Sequence, residues 1–156
     1  MIYKYLSKIT SILPPEFLHD IFIFSLKLDI KKRKKRFKNL EFELFGKEFD
    51  NPLGLAAGFD KNAEVINNTL NLGFGFVEVG TVTPMPQEGN PKPRIFKVPE
   101  YEAVIQRLGF NNKGIELFLE NLLNFRKLNN SGIIGVNIGK NKNTKKFSSD
   151  FKFLFE

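Results

Sequence analysis

After Pro52 the chain repeats one pattern. A short apolar run stops on glycine and polar residues, and a stretch with helical spacing follows. Leu53 to Ala56 runs into Ala57-Gly58-Phe59-Asp60-Lys61. Phe76 to Val79 runs into Gly80-Thr81. Ile133 to Ile138, carrying Asn137, runs into Gly139-Lys140-Asn141. Between them, residues 62–72, closed by Gly73, and residues 114–128 place apolar side chains at helical spacing. Strands alternating with helices predict an α/β fold with a parallel sheet. Such folds bind ligands at the carboxyl ends of their strands, where these glycines and polar side chains stand. About three β/α units are visible. A complete (β/α)8 barrel takes at least ~200 residues, and the chain has 156. Its last stretch, Phe151 to Phe155, is apolar and helical without a stop signal. The simplest expectation is the N-terminal part of a (β/α)8 barrel, truncated, occupying residues 39–156.

Residues 1–38 read differently. Ile2, Tyr5, Leu6, Ile9, Ile12 and Leu13 follow helical spacing over 2–13. Pro14-Pro15 ends that helix and opens a second, because proline is tolerated in a first turn. Glu16 then stands where the helix dipole favours an acid. The second helix is expected to run to about Ile30, with more apolar surface than one core-facing stripe needs. Lys31 to Lys38 follows, with seven cations and no acid. Outside it, Lys and Arg number 17, the same as Asp and Glu, so the net charge of +7 resides in this one cluster. Two amphipathic helices beside a compact basic run suit a segment lying on anionic lipid. An ordinary helical hairpin followed by a solvated basic linker fits the same pattern. A nucleic-acid interface spreads its basic residues over a face and interleaves aromatics, so no nucleic-acid partner is expected. The absence of Cys and the presence of one His exclude a disulfide framework, a thiolate nucleophile and a multi-imidazole metal site. No metal is expected. No apolar run reaches the ~18 residues of a membrane span, and no signal-peptide pattern shows. Between the two parts, Leu40 to Leu44 and a short strand around Glu48-Phe49 predict a small hairpin.

Four segments carry candidate chemistry, and each also has an ordinary structural explanation. Ala57 to Lys61 offers bare backbone to a flat or phosphorylated ligand with a cation beside it; it would equally make a tight turn with a solvated Lys. The proline-rich loop from Thr83 to Arg94 is longer than a strand–helix connection needs, which favours function, or it is an irregular surface loop. Ile105 to Asn112 supplies amide donors and acceptors, or a turn entering the helix at Gly114 with Asn111 or Asn112 as its cap. Gly135 to Asn141 presents Asn137 and then a Gly-Lys loop.

Taken together and in this order, NPLGLAAGFDK (51–61), GFGFVEVGTVTPMPQEGNPKPR (73–94) and GVNIGKN (135–141) resemble class 2 dihydroorotate dehydrogenases, the membrane-associated, quinone-reducing flavoenzymes of pyrimidine (UMP) biosynthesis. The two N-terminal helices point to that class. The resemblance implies a barrel preceded by a two-helix membrane-docking segment, FMN as cofactor, and dihydroorotate, orotate and a membrane quinone as partners. It implies that Ala57, Gly58, Phe59, Asp60 and Lys61 lie against the flavin, with Thr81 and Asn137 bonding it. Lys61 would also reach the substrate carboxylate, and Gln106, Arg107, Leu108, Gly109 and Phe110 would line the orotate site. His19, Arg94 and Lys97 would border the quinone tunnel. The catalytic base, a Ser, is expected beyond Glu156, so none is assigned within the chain, and the chain alone is expected to be inactive. The chain departs from the family at Gln106, where Asn is usual, and at Lys97, where Arg is commoner. With the resemblance in hand, membrane docking is preferred for residues 1–38. The expected location is peripheral, on the cytoplasmic face of a bacterial inner membrane. Two rivals remain: another FMN-barrel reductase of a pyrimidine, and a non-enzymatic membrane-binding remnant.

Overall fold

A computed structural model describes residues 13–28, 38–128 and 132–156. The helix expected over 2–13 and the basic run lie almost wholly outside these residues. The second helix is present as α1, Pro15–Lys27. It opens on Pro15 and Glu16 as expected, and it ends at Lys27, short of Ile30, where the Leu28 N–H turns back to the Ser25 carbonyl. Strands β1 (Phe42–Leu44) and β2 (Lys47–Phe49) form the expected antiparallel hairpin. Phe42 stacks on Phe49, which in turn meets the edge of Phe76.

The three expected parallel strands form one sheet. Strand β3 (Gly54–Leu55) pairs with β4 (Phe76–Val82), and β4 pairs with β7 (Ile133–Ile138), all parallel. Strand β4 runs on through Gly80 and Thr81, where the sequence pattern had ended it. Helix α2, Ile66–Asn71, is shorter than the expected 62–72. Its start is delayed because the buried Asp60 carboxylate accepts the backbone N–H groups of Glu64 and Val65, at 2.8 and 2.9 Å. Those groups are thereby held in a turn ahead of the helix.

Helix α3 (Ile115–Leu128) and helix α4 (Phe147–Phe155) stand where the spacing put them. The segment opening at Ile105, for which a turn was the structural alternative, is entered by strand β6 (Ala103–Gln106). This strand pairs antiparallel with β5 (Ile95–Val98), Ile95 opposite Gln106. All four β6 residues are exposed, so no alternation of burial marks the strand.

The core lies between the sheet and the two helices that follow β3 and β4. Val77, Val79 and Val82 from β4 meet Ile66 and Leu70 from α2 and Phe118 and Phe125 from α3. Phe118 is fully buried, and truncating such a side chain costs about 3–5 kcal/mol. Gly135 and Val136 of β7 are exposed, in contrast to the buried strand the sequence suggested. Among the described residues β7 is an edge, with a partner on one side only.

Candidate active site

At the carboxyl ends of β3 and β4 the backbone is tied across the sheet. The Gly58 N–H donates to the Gly80 carbonyl at 2.8 Å, and the Gly80 N–H donates to the Asp60 carbonyl at 3.0 Å. This lacing fixes the Ala57–Lys61 turn against Thr81. The Thr81 hydroxyl donates to Asn137 Oδ1 at 2.6 Å, and Asn137 Nδ2 donates to Glu78 at 2.8 Å. Three strands therefore contribute to one constellation.

An inner cavity of about 360 Å³ lies beside it, within the usual range for a small-molecule site. Its lining joins Ala57, Gly58, Lys61 and Thr81 to the whole run Gln106–Phe110, together with Asn90 and Asn111. The two sequence-predicted clusters, some 45 residues apart, thus meet. Asn137 is not among the lining residues and touches the cavity only through Thr81. Gln106 folds its side chain back, with Oε1 accepting the Leu108 N–H at 3.1 Å.

An outer cavity of about 580 Å³ lies between α1 and the strand ends. Glu16, His19, Asp20 and Ile23 of α1 face Phe59, Asp60, Lys61 and Arg94 across it. Gly58, Lys61, Leu108 and Asn111 border both cavities. His19 reaches across the outer one from α1, its Nε2 2.6 Å from the Phe59 carbonyl. That contact requires Nε2 to carry the proton. Arg94 is buried, with its guanidinium gripped by Glu16. Lys97 is exposed on β5 and does not line this cavity, so the structure separates it from His19 and Arg94.

The charges follow from this placement. Burial pulls the Lys61 ammonium below its ordinary pKa, while Asp20 and Glu16 across the outer cavity pull the other way. Burial likewise raises the Asp60 carboxyl, against the backbone donors that hold its anion. The Arg94 hydrogen bond holds Glu16 below the usual carboxylate range.

The inner cavity suits a flat, polar ring system. Gly58 has φ +103°, and a Cβ built there would meet nothing within 4 Å, so the turn presents bare backbone. Asn111 has its side-chain oxygen buried with no hydrogen-bond partner.

The sequence reading missed Asn90 and the pairing of Glu16 with Arg94. It proposed Asn111 or Asn112 as a cap; Asn112 instead holds the turn before the helix, its Oδ1 accepting the Gly114 N–H at 2.8 Å, and Gly114 itself stands at the cap position ahead of Ile115.

Residues 39–156 match the family model described as dihydroorotate dehydrogenase. The chain belongs to the dihydroorotate dehydrogenase family. It is similar to the dihydroorotate dehydrogenase (quinone) of Xanthomonas campestris pv. campestris (strain B100), 55% identical over 114 residues, which cover 72% of this chain and 32% of that protein. To the enzyme of the same description from Coxiella burnetii (strain Dugway 5J108-111) it is 48% identical, over 100% of this chain and 46% of that one. The structure is similar to the crystal structure of DHODH from Eimeria tenella in complex with ferulenol. The TM-score is 0.79 at 40% identity, covering 90% of this chain and 39% of that one. The ligand-free Eimeria tenella structure gives 0.81 at 41% identity, over 89% and 41%. The chain therefore spans between a third and a half of the length of these relatives. Members of the family use FMN. No helix among the described residues is long and apolar enough to cross a membrane.

Proposed function

We propose that the chain is the N-terminal portion of a quinone-dependent dihydroorotate dehydrogenase, and that the activity belongs to a longer protein carrying it. The observation that carries this reading is the pair of cavities that share Lys61. The inner one joins the Ala57–Lys61 turn to Gln106–Phe110, and the outer one is roofed by α1. Ala57, Gly58, Lys61 and Thr81 would hold FMN, with Asn137 keeping the Thr81 hydroxyl in place. When bound, FMN supplies hydride acceptance and onward electron transfer. Lys61 meets the anionic edge of a bound ring or the substrate carboxylate with a fixed, half-desolvated cation, and such charges act strongly where water is excluded. The backbone of Arg107–Phe110 shapes the wall against a cyclic amide. Within residues 1–156 no group is assigned the proton removed from dihydroorotate.

On the outer side, Phe17, Ile21, Phe24 and Leu28 are exposed. Their spacing of four, three and four residues makes one apolar stripe on α1. This stripe and the basic run of residues 31–38 suit peripheral contact with an anionic lipid surface, from which a quinone reaches the outer cavity past His19. The expected location is the cytoplasmic face of a bacterial inner membrane.

The test is to read the coding strand past the codon for Glu156, express the resulting protein with FMN, and assay dihydroorotate oxidation with a quinone and with a soluble dye. The expected result is activity with both acceptors, and a far greater loss with quinone than with dye when residues 1–28 are removed. Indifference to that deletion would favour a soluble-acceptor FMN reductase. A stop codon at that point, or no response to dihydroorotate, would overturn the reading. The 156-residue chain itself is expected to show no dihydroorotate-dependent dye reduction.

A further inference from the structure

Arg94 is buried, with a side chain 6% exposed, yet it does not point a free guanidinium at either cavity. Its Nε donates to Glu16 Oε1 at 3.0 Å and its Nη2 donates to Glu16 Oε2 at 2.7 Å, a fork-to-carboxylate pair. Its Nη1 donates to the carbonyls of Glu88 and Asn90, at 2.6 and 2.9 Å. Four of the five N–H donors of an arginine are therefore committed within the protein.

The partners form a line from α1 to the inner cavity. Glu16 stands in the first turn of the helix. The loop residue Asn90, held through its carbonyl by Arg94, donates its own N–H to the Leu108 carbonyl at 3.0 Å and its Nδ2 to the Arg107 carbonyl at 2.8 Å. The Arg107 N–H returns to the Arg94 carbonyl at 2.8 Å. Arg107 and Leu108 are walls of the inner cavity, as is Asn90 itself. The loop has no slack at this point. Gly89 has φ +80°, and a Cβ there would collide with the Leu108 carbonyl.

We infer that Arg94 and Glu16 are positioning residues, a pin through which the seating of α1 sets the wall of the inner cavity by way of Asn90. This rests on the functional reading above only for what the inner cavity binds; the mechanical claim concerns the chain itself. Lysine could not replace Arg94, because one ammonium cannot hold a planar carboxylate and two carbonyls in a fork. Lys92, whose ammonium stands 3.5 Å from the same Glu16 oxygen, is 67% exposed and lies outside the line.

The experiment is amide hydrogen exchange on the 156-residue chain and on Glu16→Gln, Arg94→Lys, Asn90→Ala and Lys92→Gln variants. Exchange resolves local opening from global unfolding. In E16Q and R94K, the Asn90 and Arg107 amides are expected to exchange about tenfold faster or more, together with α1, while the β4 and β7 amides keep their rates. N90A is expected to release the Arg107–Phe110 segment with α1 unchanged, and K92Q to match the parent. A gain confined to α1 in E16Q would overturn the inference, because Glu16 would then merely tether its own helix. So would an unchanged Arg107–Phe110 segment in N90A, a variant that leaves the ion pair intact. Should E16Q and R94K unfold globally, N90A decides alone.

In the dehydrogenase assay, E16Q is expected to raise the KM for dihydroorotate several-fold while dye-coupled kcat stays within about twofold. Equal losses in both would contradict a positioning role. The exchange pattern does not depend on any ligand. A failure of the functional reading would therefore leave it standing, and its own failure would leave the functional reading intact.

Discussion

The two cavities that meet at Lys61 are built by different means. The inner one is made of backbone. The Gly58–Gly80–Asp60 lacing, the Thr81–Asn137 pair and the Asn90 hydrogen bonds to 107 and 108 all run through peptide groups or short neutral side chains. The outer one is closed by a helix held chiefly through ionisable side chains. Glu16 pairs with Arg94 at one end of α1, His19 reaches the Phe59 carbonyl, and Lys27 meets Glu64 at 2.9 Å near the other end. Of α1 only Ile23 is buried. Neutral hydrogen bonds within a sheet respond little to pH or salt. Ion pairs respond to both. The inner site is thus held mainly by neutral bonds, the roof of the outer one is adjustable, and Arg94 is where the two kinds of bond meet.

Four changes separate the two. The largest effect is expected for Lys61→Met in the longer protein, because Lys61 belongs to both cavities. Removing a fixed charge from such a site lowers turnover by about 10²–10³-fold, measured as dye-coupled oxidation of dihydroorotate; a loss below tenfold would remove Lys61 from the chemistry. Next is Glu16→Gln. Breaking a largely buried ion pair leaves Arg94 uncompensated, and a cost of about 2–3 kcal/mol in urea unfolding is expected, reduced from the fully buried case because Glu16 retains some solvent contact.

The pH dependence of that difference has a definite sign. Glu16 is held below its ordinary pKa of 4.5, so its contribution is complete above that value. It is lost as pH falls through the lowered one. The gap between parent and E16Q should be flat near neutrality and close in acid. Asp60, raised by burial, works in the opposite direction. Its folded form takes up a proton first, which offsets part of the acid loss in both proteins.

A smaller effect is expected for Glu64→Gln. Its carboxylate serves Lys27 at 2.9 Å and Lys113 at 3.3 Å, but both lysines are largely exposed, so about 0.5–1 kcal/mol is at stake. That loss should shrink in high salt, whereas the Glu16 loss should persist. The smallest is Lys92→Gln, expected to be at most ~0.5 kcal/mol.

The inner site was more legible in the sequence than the outer one for the same reason. Glycine-terminated apolar runs declare where strands end, and a parallel sheet brings those ends together without further information. The 106–110 segment was recognised as a site by its resemblance to a family, yet the strand that delivers it was missed. Ala103–Gln106 lies on an exposed ribbon, and nothing in four exposed residues announces its pairing with Ile95–Val98. The spacing predicts helix α2 longer than it is, because periodicity does not reveal a side chain that holds the backbone ahead of it in a turn. The Asp60 carboxylate organises the turn before the helix. Glu16 was read locally, as an acid at a helix start. Its partner stands 78 positions away, and one chain without relatives gives no means of pairing an acid here with an arginine there. Arg94 lines the outer cavity, but its donors are turned inward, to Glu16 and two loop carbonyls.

The order of the parallel sheet has a consequence for how the molecule grows. The sequence order of its strands is also their spatial order, β3, β4, β7, so each strand is laid down on the same flank of the one before. Parallel crossovers are almost always right-handed, and adjacent strands twist in one sense. Staves added always to one side in this way bend the wall steadily around an axis. The uncovered edge at Gly135 and Val136 is where a further stave would be nailed. An edge of this kind is also a template for any extended chain that reaches it first.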